Sequence, residues 1–168
     1  MSDLTVVIPT IMRRTLPRTI SSVLDQTILF DDVVIERSTS EFCGVTQNAG
    51  VARVTTEWVG FCHDDDTLHP MYHEWFDDEC KPDTDLFVFV MEFGSNGPLG
   101  PGLRLPSKKD PATWQLGDVG ISFVMRTQLC RQIRFTNRVA EDWMMIEAVR
   151  DRGCKIQVSQ RVAYFVRP

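Results

Sequence analysis

The sequence predicts an α/β protein with an open, mainly parallel sheet and helices on both faces. Short β-branched and aromatic runs alternate with segments of helical periodicity, which is the pattern of right-handed βαβ units. The chain has 168 residues, of which 43% are hydrophobic and 24% are charged. Because this length and composition suit one globular core, we expect a single domain over residues 1–168.

The first strand and helix are predicted from residues 4 to 27. The apolar run "LTVVI" (4–8) favours a buried parallel strand that stops at Pro9. The segment "TLPRTISSVLDQT" then places apolar residues at helical spacing, with Thr15 and Pro17 at positions that favour a helix start.

The alternation continues through the rest of the chain. We expect a second strand at 32–36, a helix at 45–55 and a third strand at 58–61. A helix opens at Pro70, and the most apolar strand, "DLFVFVM", is expected to lie centrally. The later elements are a loop at 94–112, a strand at 119–125, a helix at 141–153 and strands within 155–166.

Charge and composition argue against several functional classes. A net charge of -5 disfavours tight binding to nucleic acid, which depends on basic side chains that neutralise phosphates. No apolar run is long enough to cross a bilayer, and the N-terminus "MSDLTVVIPT" does not resemble a signal peptide. We therefore expect a cytoplasmic protein with five reduced, mostly buried cysteines.

A run of three carboxylates, Asp64 to Asp66, follows the third predicted strand in "VGFCHDDDTLHP". Ligands of open α/β sheets bind at the carboxyl ends of strands. Adjacent carboxylates repel, and a divalent ion such as Mg²⁺ or Mn²⁺ would offset this and also bind nucleotide phosphates. The alternative is a set of solvated turn residues, one of which caps the next helix.

Several segments together resemble family 2 inverting glycosyltransferases of the GT-A fold. The family opening "VSVIIPTYNR" with a later "SVLxQT" is similar to "LTVVIPTIMRRTLPRTISSVLDQT". The family segments "ARNxG" and "GEYIxFLDxDDxxxP" are similar to "TQNAGVARVTTEWVGFCHDDDTLHP". An acidic residue and a Ser/Thr-rich turn end the second strand in "DVVIERSTS", and "AEDWMMIEAVRDRG" resembles the late "ED" helix. The resemblance covers residues 4–167.

This resemblance implies transfer of a sugar from a nucleotide-sugar donor, expected to be UDP-linked, to an acceptor hydroxyl with inversion. It implies a Mn²⁺ or Mg²⁺ ion as cofactor, with a glycan or another hydroxyl compound as acceptor. Residues 1–93 would form the nucleotide-sugar-binding half and residues 94–168 the acceptor-binding half. The oligomeric state is not predicted.

The resemblance also implies which residues contact the nucleotide. Pro9 and Thr10 would line the nucleoside pocket, with Arg13 or Arg14 at its edge. Glu36 would contact the base or ribose, or alternatively is only a charge at a strand end. Asn48 matches the asparagine of the family.

Alignment on Pro70 assigns roles within the Asp run. Asp65 takes the place of the metal-binding carboxylate, Asp66 follows it as a second metal ligand, and Asp64 occupies a variable position beside the substrate. His63 replaces the first carboxylate of the family pattern, so it is either a third metal ligand or a packed strand-end residue. A shifted register would instead make Asp64 and Asp66 the metal pair.

Inverting transfer requires a base that takes the proton of the acceptor hydroxyl. The family pattern implies that Asp142 is this base, with Glu141 beside it. The alternative is that both residues only complement a helix dipole. Trp114 would stack on an acceptor sugar, or else pack in the core.

Two other functions fit parts of the sequence. A degenerate module that binds nucleotide without turnover is favoured by His63 and by Gln47, which replaces a family arginine. A nucleotidyltransferase shares the sheet and the metal, but "IPTIMRRTLP" lacks the glycine-rich phosphate loop expected of one.

Overall fold

The structure is a computed structural model that describes residues 2–168. The strands are β1 (Leu4–Thr10), β2 (Asp32–Arg37), β3 (Trp58–Phe61), β4 (Thr67–Leu68), β5 (Leu86–Phe93), β6 (Arg104–Leu105), β7 (Phe123–Arg126) and β8 (Ile156–Val166). The α-helices are α1 (Leu16–Leu24), α2 (Cys43–Arg53), α3 (Tyr72–Glu79), α4 (Thr127–Ile133) and α5 (Glu141–Asp151). A single 3₁₀ turn covers Pro111–Thr113.

The strands form an eight-stranded sheet in the order β2-β1-β3-β7-β5-β8-β4, with β6 paired to β5. The parallel pairings β1–β2, β1–β3 and β5–β8 are longer than the antiparallel ones. Two parallel blocks are therefore joined by the antiparallel strand β7. The predicted α/β class with a mainly parallel sheet is confirmed, and β5 lies inside the sheet as expected.

Strand β1 is buried along its whole length and does not stop at Pro9. The Val7 carbonyl accepts from Cys62 N–H, which follows β3. Backbone groups alternate along a strand, so the backbone nitrogen of Pro9, two residues on, also faces the β3 side. The ladder between β1 and β3 has already ended at Val7 and Phe61, so no N–H is needed at Pro9. The prediction that the proline ends this strand is therefore wrong.

Helix α1 is attached to the Asp run by two hydroxyl groups. Thr15 was expected to favour the helix start but makes no side-chain cap. Instead, its hydroxyl donates to the Asp64 carbonyl at 2.7 Å, and the buried Thr19 hydroxyl donates to the Asp66 carbonyl at 2.7 Å. The helix therefore fixes the backbone of the carboxylate run.

The second half of the chain differs more from the sequence prediction. A strand was predicted at 119–125, but β7 begins at Phe123, and residues 119–122 are buried outside any strand. The seven-residue helix α4 was not predicted. The predicted last strands are one strand, β8, whose pairing with β5 contains register shifts near Val90.

The cysteines and the helices bear on two predictions made from the sequence. All five cysteines are free, and only Cys62 and Cys130 are buried, so the expectation of mostly buried thiols is wrong. Within residues 2–168, no helix combines the length and the apolar character that crossing a bilayer requires.

Candidate active site

A cavity of about 260 Å³ lies at the carboxyl ends of the parallel strands β1 and β3. Its lining comes from these strand ends, the loop after β2, the start of α2 and the segment after β8. We call it the nucleotide cavity, after the role that the sequence resemblance implies for its residues. Six predicted residues line it: Pro9, Thr10, Arg13, His63, Asp64 and Asp65.

Asp64 organises the loop between β1 and α1. Its carboxylate accepts hydrogen bonds from the Thr10 hydroxyl (2.7 Å), from Ile11 N–H (3.0 Å) and from Arg13 N–H (3.3 Å). The Arg13 guanidinium adds an ion pair at 2.6 Å. Burial raises the pKa of this carboxyl, but the hydrogen bonds and the arginine outweigh it and leave the pKa below its ordinary value. The Asp64 side chain is thus fully occupied by protein groups.

Asp66 is held by the segment that ends β8. The Tyr164 hydroxyl donates to one carboxylate oxygen at 2.7 Å, and Arg167 N–H donates to the other at 3.0 Å. Burial raises the pKa of Asp66, although the nearby His63 opposes this. Asp66 does not line the nucleotide cavity.

Asp65 is the least constrained carboxylate of the run. Its Oδ2 accepts from Arg167 Nε at 2.8 Å, and its Oδ1 lies 3.3 Å from Arg13 Nη1. The arginine side chains on either side remain 41% and 43% exposed. The positive charge between the adjacent carboxylates is therefore supplied by Arg13 and Arg167.

His63 packs against helix α2. Its Nε2 lies 3.7 Å from Cys43 Sγ and 3.3 Å from Gln47 Nε2, and its backbone N–H donates to the Tyr164 hydroxyl at 3.1 Å. Burial lowers the pKa of His63, but the contact with Cys43 and the charges of the Asp run raise it above its ordinary value. The ring therefore sits among side chains of α2 while it borders the cavity.

The donor set fits a divalent ion through one protein carboxylate. Among residues 2–168, no three His, Cys, Asp or Glu side chains converge as a metal-binding group. Asp64 lines the nucleotide cavity but accepts four hydrogen bonds, and Asp66 lies outside it, so Asp65, with one arginine contact at each oxygen, is the carboxylate there with the fewest protein partners. Mg²⁺ is commonly held by one or two carboxylates together with substrate phosphates.

Two residues assigned to the nucleotide do not line this cavity. Glu36 forms an ion pair with Arg53 at 3.0 Å. Asn48 donates to the carbonyl of Phe135 and accepts from its N–H, both at 2.9 Å. The amide of Asn48 thus ties α2 to the segment after α4.

A second cavity of about 530 Å³ contains Asp142 and shares His63 with the first. Asp142 Oδ1 accepts from Trp143 N–H at 2.7 Å, at the start of α5. Burial raises the pKa of the Asp142 carboxyl, and burial together with the charge of Asp142 raises that of Glu141. We call this second cavity the acceptor cavity, after the role that the sequence resemblance implies for Asp142.

Gly120 leaves the space that the end of the Met91 side chain occupies. A Cβ at this position would lie 2.7 Å from Met91 Sδ and 3.5 Å from Asp142 Oδ2. The glycine in the irregular segment before β7 therefore permits a close approach between that segment and Met91 of β5, with Asp142 at ordinary contact distance.

Trp114 packs in the core of the long loop. It is 3% exposed, and its Nε1 donates to the Lys108 carbonyl at 2.7 Å. It does not line the acceptor cavity. Of the two alternatives for this residue, the structure has the packed one.

Sequence reasoning missed Arg167 and Tyr164, which hold two of the three carboxylates. Tyr164 lies near the end of β8 and Arg167 directly follows this strand, and no motif marks either residue. The only local signal is a basic residue directly after an apolar strand in "AYFVRP".

Comparison with known proteins shows which fold this is. No protein-family model matches the chain, and no curated protein does. Among solved structures, S. aureus TarS has 15% identity and a TM-score of 0.75, over 98% of this chain and 36% of that one. A TarS 1-349 structure in complex with UDP has 14% identity and a TM-score of 0.76, over 98% of this chain and 60% of that one.

A third similar structure is glucosyl-3-phosphoglycerate synthase from Mycobacterium tuberculosis in complex with Mn²⁺, UDP and glucosyl-3-phosphoglycerate. It has 16% identity and a TM-score of 0.65, over 96% of this chain and 71% of that one. The chain spans about a third of the first of these structures and less than three quarters of the others. The mixed sheet and its helices match those of these proteins, so the chain has the GT-A glycosyltransferase fold.

Proposed function

We propose that the protein is a metal-dependent glycosyltransferase that moves a sugar from a UDP-linked donor to an acceptor hydroxyl with inversion. The observation that carries this proposal is the pair of cavities that share His63. The first cavity has the arginines and the available carboxylate that a nucleotide diphosphate requires, and the second has a partly buried carboxylate suited to act as a base.

The donor would lie in the nucleotide cavity. Pro9 and Thr10 border the nucleoside, and Arg13 and Arg167 face the diphosphate from either side of Asp65. An Mg²⁺ or Mn²⁺ ion held by Asp65 would supply Lewis-acid stabilisation of the departing diphosphate. Two of the similar structures contain UDP, and one of these also contains Mn²⁺.

The acceptor would lie in the acceptor cavity beside Asp142. The carboxylate takes the proton of the acceptor hydroxyl while the oxygen forms its bond to the anomeric carbon and the bond to the diphosphate breaks. A raised pKa makes Asp142 a stronger base than an ordinary aspartate, and burial is the cause of that shift. Glu141 stands next to it at the start of α5.

A module that binds nucleotide without turnover is the second candidate. It is favoured by the contact between His63 and Gln47, which stand where the resembling family has a carboxylate and an arginine. This contact replaces a carboxylate and a guanidinium at the donor site with an imidazole and an amide.

One experiment separates these candidates. Nucleotide sugars are screened by thermal shift with Mn²⁺ or with chelator, because a ligand that binds only the folded state raises the melting temperature. The best ligand is then incubated with candidate hydroxyl acceptors, and release of free UDP is measured for the parent and for Asp142→Asn. A transferase binds the donor and releases UDP only with Asp142, whereas the module binds it and releases none. No binding by any nucleotide sugar would contradict both.

A further inference from the structure

The wall of the acceptor cavity is almost entirely apolar. Its polar side chains are those of His63, Asp66 and Asp142, and every other lining residue is apolar or a glycine. Asp66 accepts from the Tyr164 hydroxyl and from a backbone N–H, and the His63 ring contacts side chains of α2. No side chain within residues 2–168 donates a hydrogen bond to Asp142. In this wall, Asp142 is therefore the polar side chain that a ligand hydroxyl can reach without displacing a protein partner.

Three apolar side chains of the same wall are exposed to solvent. Leu99 and Leu116 of the long loop are 58% and 67% exposed, and Val139 before α5 is 92% exposed. We call these three residues the apolar rim. A ligand with hydrocarbon surface would remove the rim from water, which favours binding. An exposed apolar patch beside a cavity with few polar groups is typical of a small-molecule site.

The charges of the wall do not suit an anionic acceptor. Among residues 2–168, no lysine or arginine lines this cavity. Three arginines lie near it in the chain or in space but outside its wall, namely Arg104, Arg138 and Arg150. A phosphate or carboxylate group in the cavity would face the carboxylates of Asp66 and Asp142, with the single imidazole of His63 as counter-group. Like charges that face one another at a binding site are unfavourable, so we expect an uncharged acceptor.

We propose that the acceptor is an uncharged alcohol whose hydroxyl is carried by a hydrocarbon group. The hydroxyl donates to Asp142, and the hydrocarbon lies against the apolar wall and the apolar rim. During transfer the alcohol oxygen bonds to the anomeric carbon, its proton goes to Asp142, and UDP leaves with the electron pair of the broken bond. A sugar in this position would place its further hydroxyl groups against hydrocarbon side chains, which is unfavourable. This inference rests on the proposed function, because it assigns the acceptor to the cavity of Asp142.

The test compares three hydroxyl compounds of different chemistry: 3-phenylpropan-1-ol, methyl glucoside and glycerol 1-phosphate. Each is titrated by calorimetry into the full chain with saturating UDP and Mn²⁺. Each is also incubated with the best-bound UDP-sugar, and release of UDP is measured. We expect 3-phenylpropan-1-ol to bind at least about tenfold tighter than the other two, because it alone buries hydrocarbon against the wall. It should also give the fastest release of UDP.

A pair of leucine variants tests whether the apolar rim makes this contact. Leu116→Gln places an amide in the rim and should weaken the binding of 3-phenylpropan-1-ol about threefold to tenfold, as expected for partial loss of an apolar contact. The matched control is Leu103→Gln, since Leu103 is a 41% exposed leucine of the same loop that does not line the cavity. The control should keep the affinity of the parent. Equal losses in the two variants would overturn the inference.

Failure of this inference and failure of the proposed function give different results. Transfer to methyl glucoside or glycerol 1-phosphate in preference to 3-phenylpropan-1-ol would retain the transferase and overturn the apolar acceptor. Rim-dependent binding of 3-phenylpropan-1-ol to a chain that binds no nucleotide sugar would support the apolar ligand and overturn the transferase. If none of the three compounds bound, the inference would be wrong. Light scattering tests a second copy as the other occupant, and a dimer that Leu116→Gln dissociates would also overturn the inference.

Discussion

Asp64→Ala should lower the stability of the protein, whereas Asp65→Ala should leave its stability nearly unchanged and remove metal-dependent ligand binding. The Asp64 side chain is 2% exposed and accepts from Thr10, Ile11 and Arg13. In Asp64→Ala the Thr10 hydroxyl and the two backbone N–H groups lose their acceptor, which typically costs about 1–3 kcal/mol, whereas the 41% exposed Arg13 guanidinium stays solvated. For a domain of this size, roughly 2–4 °C per kcal/mol applies, so the melting temperature should fall by about 2–12 °C.

Asp65→Ala should spare the fold and remove the metal-dependent function. The arginines paired with Asp65 are 41% and 43% exposed, so solvent replaces the lost ion pairs at a cost of about 0–1 kcal/mol. The stabilisation of the protein by UDP and Mn²⁺ should disappear, because Asp65 is the proposed metal ligand.

Differential scanning fluorimetry with Mn²⁺ and UDP, with Mn²⁺ alone and with chelator measures both effects. The loss in Asp64→Ala should be the same under chelator, since arginine and not metal compensates this carboxylate. An Asp64→Ala protein that melts with the parent would refute the role assigned to Asp64. If Asp65→Ala kept its Mn²⁺-dependent stabilisation by UDP, Asp65 would not be the metal ligand.

The pH dependence of stability gives an independent check on Asp64. Its folded pKa lies below the ordinary value of 3.8, so its stabilising contribution is complete above pH 3.8 and is lost as the pH falls through the lowered pKa. The difference in melting temperature between the parent and Asp64→Asn should therefore be constant at neutral pH and shrink in acid. A difference that grows in acid would contradict the sign of the shift.

Three further changes have expected outcomes. Asp142→Asn should cut sugar transfer by roughly a hundredfold to ten-thousandfold with donor affinity unchanged, and a parent-like rate would exclude Asp142 as the base. Because burial raises the pKa of Asp142 above the ordinary 3.8 of aspartate, the transfer rate of the parent should begin to fall in acid at a pH above 3.8. Glu36→Ala should change UDP affinity by less than about threefold in calorimetry, because Glu36 pairs with the 61% exposed Arg53 outside the cavity; a larger loss would place Glu36 against the nucleotide. Asn48→Ala should lower the free energy of unfolding in urea by about 1–3 kcal/mol, because both Phe135 backbone groups lose their partner, and unchanged stability would show that water replaces the amide.

The strand and helix order of the first half could be predicted because each element has its own period. The run from Leu4 and the apolar spacing of α1 are local properties of the chain. Residues 119–122 have the apolar character of a strand but form irregular backbone, in which Gly120 lies against Met91. An apolar run reports burial, and burial alone does not distinguish a strand from a buried loop.

The site could be predicted in part for a similar reason. The Asp run and the arginine at position 13 lie in segments with recognisable patterns, so a cation beside the carboxylates was expected. The arginine that pairs with Asp65 is 102 residues away, and the partner of Asn48 is 87 residues away. Such pairings depend on which strands become neighbours in the sheet, and no local pattern records them.

The attachment of the Asp run to the end of β8 has a consequence for when the candidate site forms during synthesis of the chain. The side chains of Tyr164 and Arg167 reach Asp66 and Asp65 across 98 and 102 residues. Contacts of such long sequence separation form late in folding, because a large loop must close first. During vectorial synthesis Asp65 and Asp66 therefore stay hydrated until β8 emerges and pairs with β5. A nascent chain of residues 1–93 contains the Asp run and most of the cavity wall, yet we expect it to remain unable to retain UDP on an affinity resin until β8 has been added.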